Sequence, residues 1–236
     1  MADIPSTMQA VVLTGPGEFE IKEVPTPQPE GDEVLCRVHA VAICGTDPKI
    51  VKGAYPGMWP KSYPFIIGHE WAGEIVAITP QIAASPTLAK KYAVGTRVAG
   101  EAHKGCGVCQ NCLEGRYTIC LNYGDQAAGH RHYGFTSQGA YATYVKVSIK
   151  ALHPLPEGLS YDHAAMLDAA GVSLHGVLRG GVSVGHNVAV TGPGPVGNLS
   201  MQFAKAAGAK QVVVVGRGAR LQQAVELGAV PVDYEK

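Results

Sequence analysis

Short apolar runs rich in Val and Ile, broken by Gly, Pro and Asp, fill the first part of the chain. MQAVVLTG, EFEIKEVP and DEVLCRVHAVAIC have this form, and the breakers between them are residues that end strands and open turns. GHEWAGEIVAIT predicts a strand pair opening after a loop, GTRVAGEA a further strand, and GAYATYVKVS an alternating one. Short strands at this spacing predict a barrel or sandwich-like unit reaching to about residue 150. Residues 79–93, TPQIAASPTLAKKYA, have little periodicity and read as a surface insertion.

The pattern changes after LHPLPEGLS. SYDHAAMLDAAGVSLHGVL has helical spacing, with Ser160 as its N-cap. NVAVTG is a short buried strand, PVGNLSMQFAKAAG a helix closed by Gly208, QVVVVG an apolar strand, and ARLQQAVELG a helix closed by Gly228. AVPVDYEK begins a further element. This alternation predicts parallel βαβ units, and so a second domain of α/β class. The expected division is residues 1–158 and 159–236. From Asn187 the sequence runs for 50 residues, and one βαβ unit takes about 30. The second domain is therefore expected to hold about half of a doubly wound fold, as a fragment would.

Composition narrows the class. Apolar residues make up 46% and charged residues 16%, which suits a packed core and not a disordered chain. The formal net charge is zero, whereas a protein that tracks nucleic-acid phosphates carries a basic excess. MADIPSTMQAVVL lacks the basic-then-apolar order of a secretory signal. No run approaches the roughly 18 apolar residues of a membrane span. The expectation is a soluble cytoplasmic protein with neither nucleic-acid nor membrane partners. In that setting six cysteines suggest metal ligands before disulfides.

Four of the six form one cluster, Cys106, Cys109, Cys112 and Cys120, spaced C-x2-C-x2-C-x7-C. Zinc takes four thiolates tetrahedrally, and four protein ligands leave no position for water or substrate, so the expected site is structural. An iron–sulfur cluster or unliganded thiols are the alternatives. A second constellation is Cys44-Gly45-Thr46-Asp47 with Gly68-His69-Glu70. A thiolate and an imidazole could be two zinc ligands. Equally, Cys44 could be a buried strand end, Asp47 a helix N-cap and His69 a loop histidine. A third is Gly192-Pro193-Gly194-Pro195-Val196-Gly197, a G-x-G-x-x-G directly after a strand and opening a helix. In that context it predicts a dinucleotide site. The glycines allow the tight turn, close backbone approach to a pyrophosphate and helix–strand packing, and the helix N-terminus favours the negative charge.

CGTD at 44–47, GHEWAGEI at 68–75, CGVCQNCLEGRYTIC at 106–120 and VAVTGPGPVG at 188–197 occur in one order along the chain. Together they resemble the zinc-containing medium-chain alcohol dehydrogenases of the sorbitol, threonine and secondary-alcohol dehydrogenase kind. The resemblance implies a GroES-like catalytic barrel followed by a Rossmann domain lacking its C-terminal part. It implies an oxidoreductase with one catalytic and one structural zinc, and a homo-oligomer at full length. It assigns the catalytic zinc to Cys44, His69 and Asp168, with Glu70 as an alternate ligand and Asp47 orienting His69. The Thr46 hydroxyl would take the alcohol proton. Many relatives place a histidine where this chain has Lys49, so its proton route to solvent would differ or Lys49 is a surface residue.

The expected cofactor is NADP(H) in preference to NAD(H). The strand after the glycine motif ends in Gly216-Arg217-Gly218-Ala219-Arg220, with no carboxylate to bind a ribose 2′-hydroxyl. Gly216 leaves room for a 2′-phosphate that Arg217 or Arg220 could pair, unless both arginines are simply solvated. Gly192, Gly194, Pro195, Val196 and Gly197 would hold the pyrophosphate end. Tyr55, Met58 and Trp59 either line a substrate pocket or pack locally. His130-Arg131-His132 reads as a loop, and Cys36 as a core residue. The substrate class is a secondary alcohol or sugar alcohol. The rival readings are a zinc-free quinone reductase-like relative and a zinc-stabilised module without catalysis.

Overall fold

Residues 4–235 are described by a computed structural model, in which the chain forms two units, one ending at Met166 and the other starting at Leu167. The first opens with β1 (Thr7–Gly15), β2 (Glu18–Pro25) and β3 (Glu33–Ala42), then a short helix α1 (Asp47–Val51), β4 (Phe65–Ile66) and β5 (Glu70–Ile78). Helices α2 (Pro80–Ala83) and α3 (Pro86–Lys91) precede β6 (Arg97–Gly100) and β7 (His103–Lys104). Helix α4 (Gln110–Leu113), β8 (Arg131–His132), β9 (Tyr144–Ser148), β10 (Leu152–Pro154) and α5 (Tyr161–Ala164) complete it.

On β1 the period of two places Met8, Ala10 and Val12 on one buried face and Thr7 and Gln9 outward, while Leu13 is buried in a second cluster with Ile50, Phe65 and Phe135. The sheets are β2-β1-β4, β10-β6-β5-β3-β9 and the two-stranded β7-β8, all antiparallel. The main core lies on the five-stranded sheet, around Val34, Cys36, Trp71, Ile75, Val98 and Val147. Cys36 is fully buried there, as a core residue should be.

The first unit is β structure, but among the described residues it is not the one closed barrel expected from the sequence. Residues 141–143 join the two larger sheets by a few backbone bonds, two to β1 and one to β3. Val11 N–H donates to Tyr141 O at 2.8 Å, Thr143 N–H to Gln9 O at 2.9 Å, and Val38 N–H to Thr143 O at 3.0 Å. One isolated bridge, Ala10 to Ala142, stands where a closing ladder would run. A three-residue segment shared between two sheets is too short to ladder with both.

Three local expectations change. Residues 79–93 are not a loose surface insertion. Thr79 and Ser85 each accept a bond from the backbone N–H three residues on and cap α2 and α3, and each helix has proline in its first turn. Ile82 and Tyr92 enter the main core, and burying Ile82 contributes about 2 kcal/mol. GHEWAGEIVAIT forms the single strand β5 and not a pair. His130-Arg131-His132 is not a plain loop: β8 pairs with β7 in the register His103–His132, and His130 and His132 are buried.

The helical stretch after Ser160 is interrupted. Ser160 caps α5 through the His163 N–H at 3.2 Å, as its side chain predicts. Ala164 and Ala165 then pack on Ala72 and Ala99 in the first unit. A new helix, α6 (Leu167–Arg179), starts the second unit.

That unit continues with β11 (Asn187–Thr191), α7 (Pro195–Ala206), β12 (Gln211–Gly216), α8 (Gly218–Glu226) and β13 (Val230–Asp233). Its sheet is parallel in the order β11-β12-β13, the βαβ arrangement that the alternating pattern predicts. Val212, Val214, Met201, Ala204, Leu221 and Ala224 form its core. No helix among the described residues is long and apolar enough to cross a membrane.

Candidate functional site

The turn after β3 and the start of β5 bring Cys44, His69 and Glu70 together, with one potential ligand atom from each within 4.8 Å of the others. His69 and Glu70 are buried and Cys44 is half-buried. Gly68 makes the approach possible. Its φ is 97°, and a Cβ there would lie 2.6 Å from Cδ1 of Tyr141. Burial pushes the Cys44 thiol pKa up, and hydrogen bonding with Thr46 works in the opposite direction.

Asp47 opens α1 and is buried. One oxygen, Oδ2, accepts from Cys44 N–H at 2.9 Å and from the Tyr141 hydroxyl at 2.8 Å. The other, Oδ1, faces Nδ1 of His69 at 3.5 Å, and neither atom has a hydrogen-bond partner. A thiol, an imidazole and a carboxylate converging beside such a pair form a donor set that suits zinc. Thr46 precedes α1, and its hydroxyl makes no capping bond to the helix. Lys49 is exposed. Asp168 is the second residue of α6, half-buried, and belongs to the other unit.

The four clustered cysteines form the second group of converging ligands. Sγ of Cys106 lies 3.9 Å from that of Cys112, and Sγ of Cys109 lies 3.8 Å from that of Cys120. These separations are far too long for disulfides. A tetrahedron with bonds of about 2.3 Å has edges of about 3.8 Å, so they fit one zinc ion. Val108 N–H, Cys109 N–H and the Asn122 amide donate to Cys106 Sγ at 3.5, 3.3 and 3.4 Å. Such bonds, that from Val108 first, pull the Cys106 thiol down to about 6, and the N–H groups of Cys112 and Leu121 lower that of Cys109. Burial pushes Cys112 up to about 12, an effect that a cation at the centre would reverse.

Beside the first group stands an aromatic cluster that the linear sequence does not reveal. Phe135 stacks on His132 at 3.8 Å between centroids, and its other neighbours are His69 at 4.5 Å and Trp59 at 5.0 Å. His132 also stacks on His103 at 3.8 Å. Tyr55 and Trp59 pack against the buried cluster of Leu13, Ile50, Phe65 and Phe135, while Met58 is exposed.

In the second unit, the glycine motif joins β11 to α7. Gly192 N–H donates to Val215 O at 2.8 Å, Gly194 is the N-cap and Pro195 the first helical residue. A Cβ on Gly197 would collide with the Gly192 carbonyl oxygen, so this glycine permits the close packing of helix and turn. At Gly194 a Cβ would meet only open space, which leaves the backbone approachable. Val196 is half exposed. Gly216 ends β12 against Pro193. Arg217 caps α8, is exposed, and is bonded to Glu235. Arg220 is also exposed. Glu235 and Asp233 lie past the reach of the acidic-residue rule, but β13 brings Asp233 level with Gly216.

Residues 30–157 match the model of the alcohol dehydrogenase GroES-like domain family. The chain belongs to the zinc-type medium-chain alcohol dehydrogenases. Sorbitol dehydrogenase of Bacillus subtilis is 34% identical over 227 residues, which cover 96% of this chain and 61% of that protein. L-Threonine 3-dehydrogenase of Coxiella burnetii is 37% identical over 82% of this chain and 52% of its own length. Thus the chain spans about three-fifths or less of these two curated relatives. Among solved structures, a zinc-binding dehydrogenase from Sinorhizobium meliloti bound to NADP has a TM-score of 0.85 at 32% identity, covering 98% of this chain and 63% of its own. An Escherichia coli alcohol dehydrogenase complexed with NADH has a TM-score of 0.84 at 28% identity, covering 98% and 64%. Within this medium-chain dehydrogenase family, the GroES-like part of the present chain carries both converging ligand groups.

Proposed function

We propose that the protein to which this chain belongs is a zinc-dependent dehydrogenase that moves a hydride between a secondary alcohol, or a sugar alcohol, and a nicotinamide cofactor. The observation that carries this reading is the convergence of Cys44, His69 and Glu70 beside the Asp47–His69 pair, in a family of named dehydrogenases. Cys44 and His69 would hold the catalytic ion. Asp168 enters as the third ligand from the family resemblance, with Glu70 as its alternate. Cys106, Cys109, Cys112 and Cys120 would hold a structural zinc, giving two ions per chain.

When bound, a zinc ion at Cys44 and His69 supplies Lewis-acid polarisation of an alcohol oxygen, and a nicotinamide supplies the hydride acceptor. The protein's residues do the rest. Asp47 holds the His69 ring and tethers the Cys44 backbone. The Thr46 hydroxyl, uncommitted to its helix, would accept the alcohol proton while passing its own onward toward solvent. Phe135 and Trp59 present an apolar wall on one side of His69 and exclude water.

For the cofactor, Gly192, Gly194, Pro195, Val196 and Gly197 would receive the pyrophosphate at the start of α7. NADP(H) is favoured over NAD(H), because Arg217 and Arg220 follow the end of β12. Gly216 itself packs against Pro193, so the space expected there for a 2′-phosphate is taken and the preference rests on the arginines. A 2′-phosphate would compete with Glu235 for Arg217. We place the protein in the cytoplasm as a homo-oligomer, on the family resemblance.

The test is a panel of secondary alcohols and polyols assayed with NADP and NAD on the zinc-loaded protein, beside Cys44→Ser. Turnover that Cys44→Ser abolishes without loss of fold supports the reading. Turnover that survives in Cys44→Ser overturns it in favour of zinc-free reductase chemistry.

A further inference from the structure

The residues that follow the four-cysteine cluster reach in three directions. Asn122 donates to Cys106 Sγ at 3.4 Å. Tyr123 accepts from the Trp59 indole N–H, Nε1 to Oη 2.7 Å. The Gly124 carbonyl accepts from Lys61 Nζ at 2.7 Å. Three consecutive residues thus tie a lobe sulfur at one end to two points on the loop after α1 at the other. Trp59 is one ring removed from His69, through Phe135.

The direction of the chain of bonds is fixed by its chemistry. An indole N–H only donates, so the Tyr123 oxygen accepts from it. The single phenolic proton is then free for Nδ1 of His132, 2.5 Å away. His132 is buried and stacked between His103 and Phe135, so its ring is a fixed acceptor. The order Trp59 to Tyr123 to His132 therefore gives the indole N–H an acceptor and gives both the oxygen and the proton of Tyr123 a partner. Such a chain of directed bonds orients the indole as a hydrophobic contact alone cannot.

We propose that the four-cysteine lobe is a positioning device for the candidate site: through Tyr123 and Gly124 it sets the place of Trp59, and so the wall that an alcohol meets. This rests on the dehydrogenase reading for its consequence in catalysis, but not for the coupling itself. Tyr123 is a positioning residue, since it touches Trp59 and not the ligand group.

Trp59 and Trp71 are the only two tryptophans, and Trp71 is 1% exposed. Acrylamide quenching of the zinc-loaded protein therefore reports on Trp59. Tyr123→Phe keeps the ring and removes both bonds. Its quenching constant is expected to rise and its emission to shift red, while the protein still unfolds in one cooperative transition, at a somewhat lower midpoint because buried His132 loses its partner. The KM for the alcohol should rise about five-fold, with kcat within about two-fold, as loss of the one bond that holds Trp59 implies. A Cys109→Ser, Cys112→Ser variant, which empties the lobe, should reproduce the Trp59 change. Unaltered Trp59 quenching in both variants overturns the proposal, as does a fall in kcat with KM unchanged. If the wild type oxidises no alcohol, the dehydrogenase reading fails, while the quenching comparison still decides the coupling.

Discussion

Asp47 stands 3.5 Å from His69, carboxylate Oδ1 facing imidazole Nδ1, and both atoms are buried without a hydrogen bond. The same carboxylate is anchored on its other oxygen by Cys44 N–H and the Tyr141 hydroxyl. A carboxylate so held has one free direction, toward the ring of His69. If His69 uses its other nitrogen for a metal, Nδ1 carries the proton and Asp47 is placed to receive it.

Asp47→Asn should therefore weaken metal binding more than it weakens the fold. Loss of such an outer partner typically lowers affinity about 10- to 100-fold. Competition with a chromogenic chelator measures it, with Asn122→Ala as the comparison for the other cysteine group. Equal affinity in Asp47→Asn and wild type would remove Asp47 from the site.

Tyr141 links Asp47 to the sheet, its hydroxyl reaching the Asp47 carboxylate and, at 3.3 Å, the Ala42 carbonyl. Burial, then the hydrogen bond to Asp47, hold its pKa well above the usual phenol range. Tyr141→Phe leaves Asp47 short of a donor and should cost about 1–3 kcal/mol in urea unfolding. A change under about 0.5 kcal/mol would show that water replaces the hydroxyl.

The buried histidines give a pH signature. Burial first, then neighbouring His103, lowers His130 to about 4 and His132 to about 2, against an ordinary 6.5. Both folded-state values lie below the unfolded one, so between them the unfolded chain binds more protons. Stability from these groups is complete above pH 6.5 and falls as the pH drops toward 4, by up to about 1.4 kcal/mol per pH unit for each. Denaturation midpoints from pH 7 to 4.5 measure this, and His130→Gln should flatten the slope. A slope unchanged in that variant contradicts the assignment.

At the glycine turn, Gly197→Ala places a methyl group on the Gly192 carbonyl oxygen. The helix must shift, at about 1–3 kcal/mol, and dinucleotide binding should be lost with the turn. Binding of NADPH to this variant as tight as to wild type would place the cofactor elsewhere. Arg217→Ala separately tests the coenzyme preference: it should weaken NADPH binding and leave NADH binding nearly unchanged.

How much of this was legible in the sequence depended on range. The β11-α7-β12-α8 order follows from local periodicity and glycine punctuation, and the four cysteines announce themselves by spacing. Residues 79–93 misled because two short helices offer no full period. Their signal was the repeated cap-then-proline pair at Thr79-Pro80 and Ser85-Pro86. The His103, His130 and His132 cluster, with Tyr123, was illegible because two-residue strands 28 positions apart assemble it. No local pattern encodes such a pairing. Barrel closure was likewise a long-range property, decided at residues 141–143.

The central claim is that the chain carries two separate zinc sites of different character. Metal analysis of the purified protein tests it most directly, done beside Cys44→Ser with His69→Gln, and beside Cys109→Ser with Cys112→Ser. The account predicts two zinc ions per chain, falling to one in each double variant. One ion in the wild type that survives the Cys44 and His69 changes, or none at all, would contradict it.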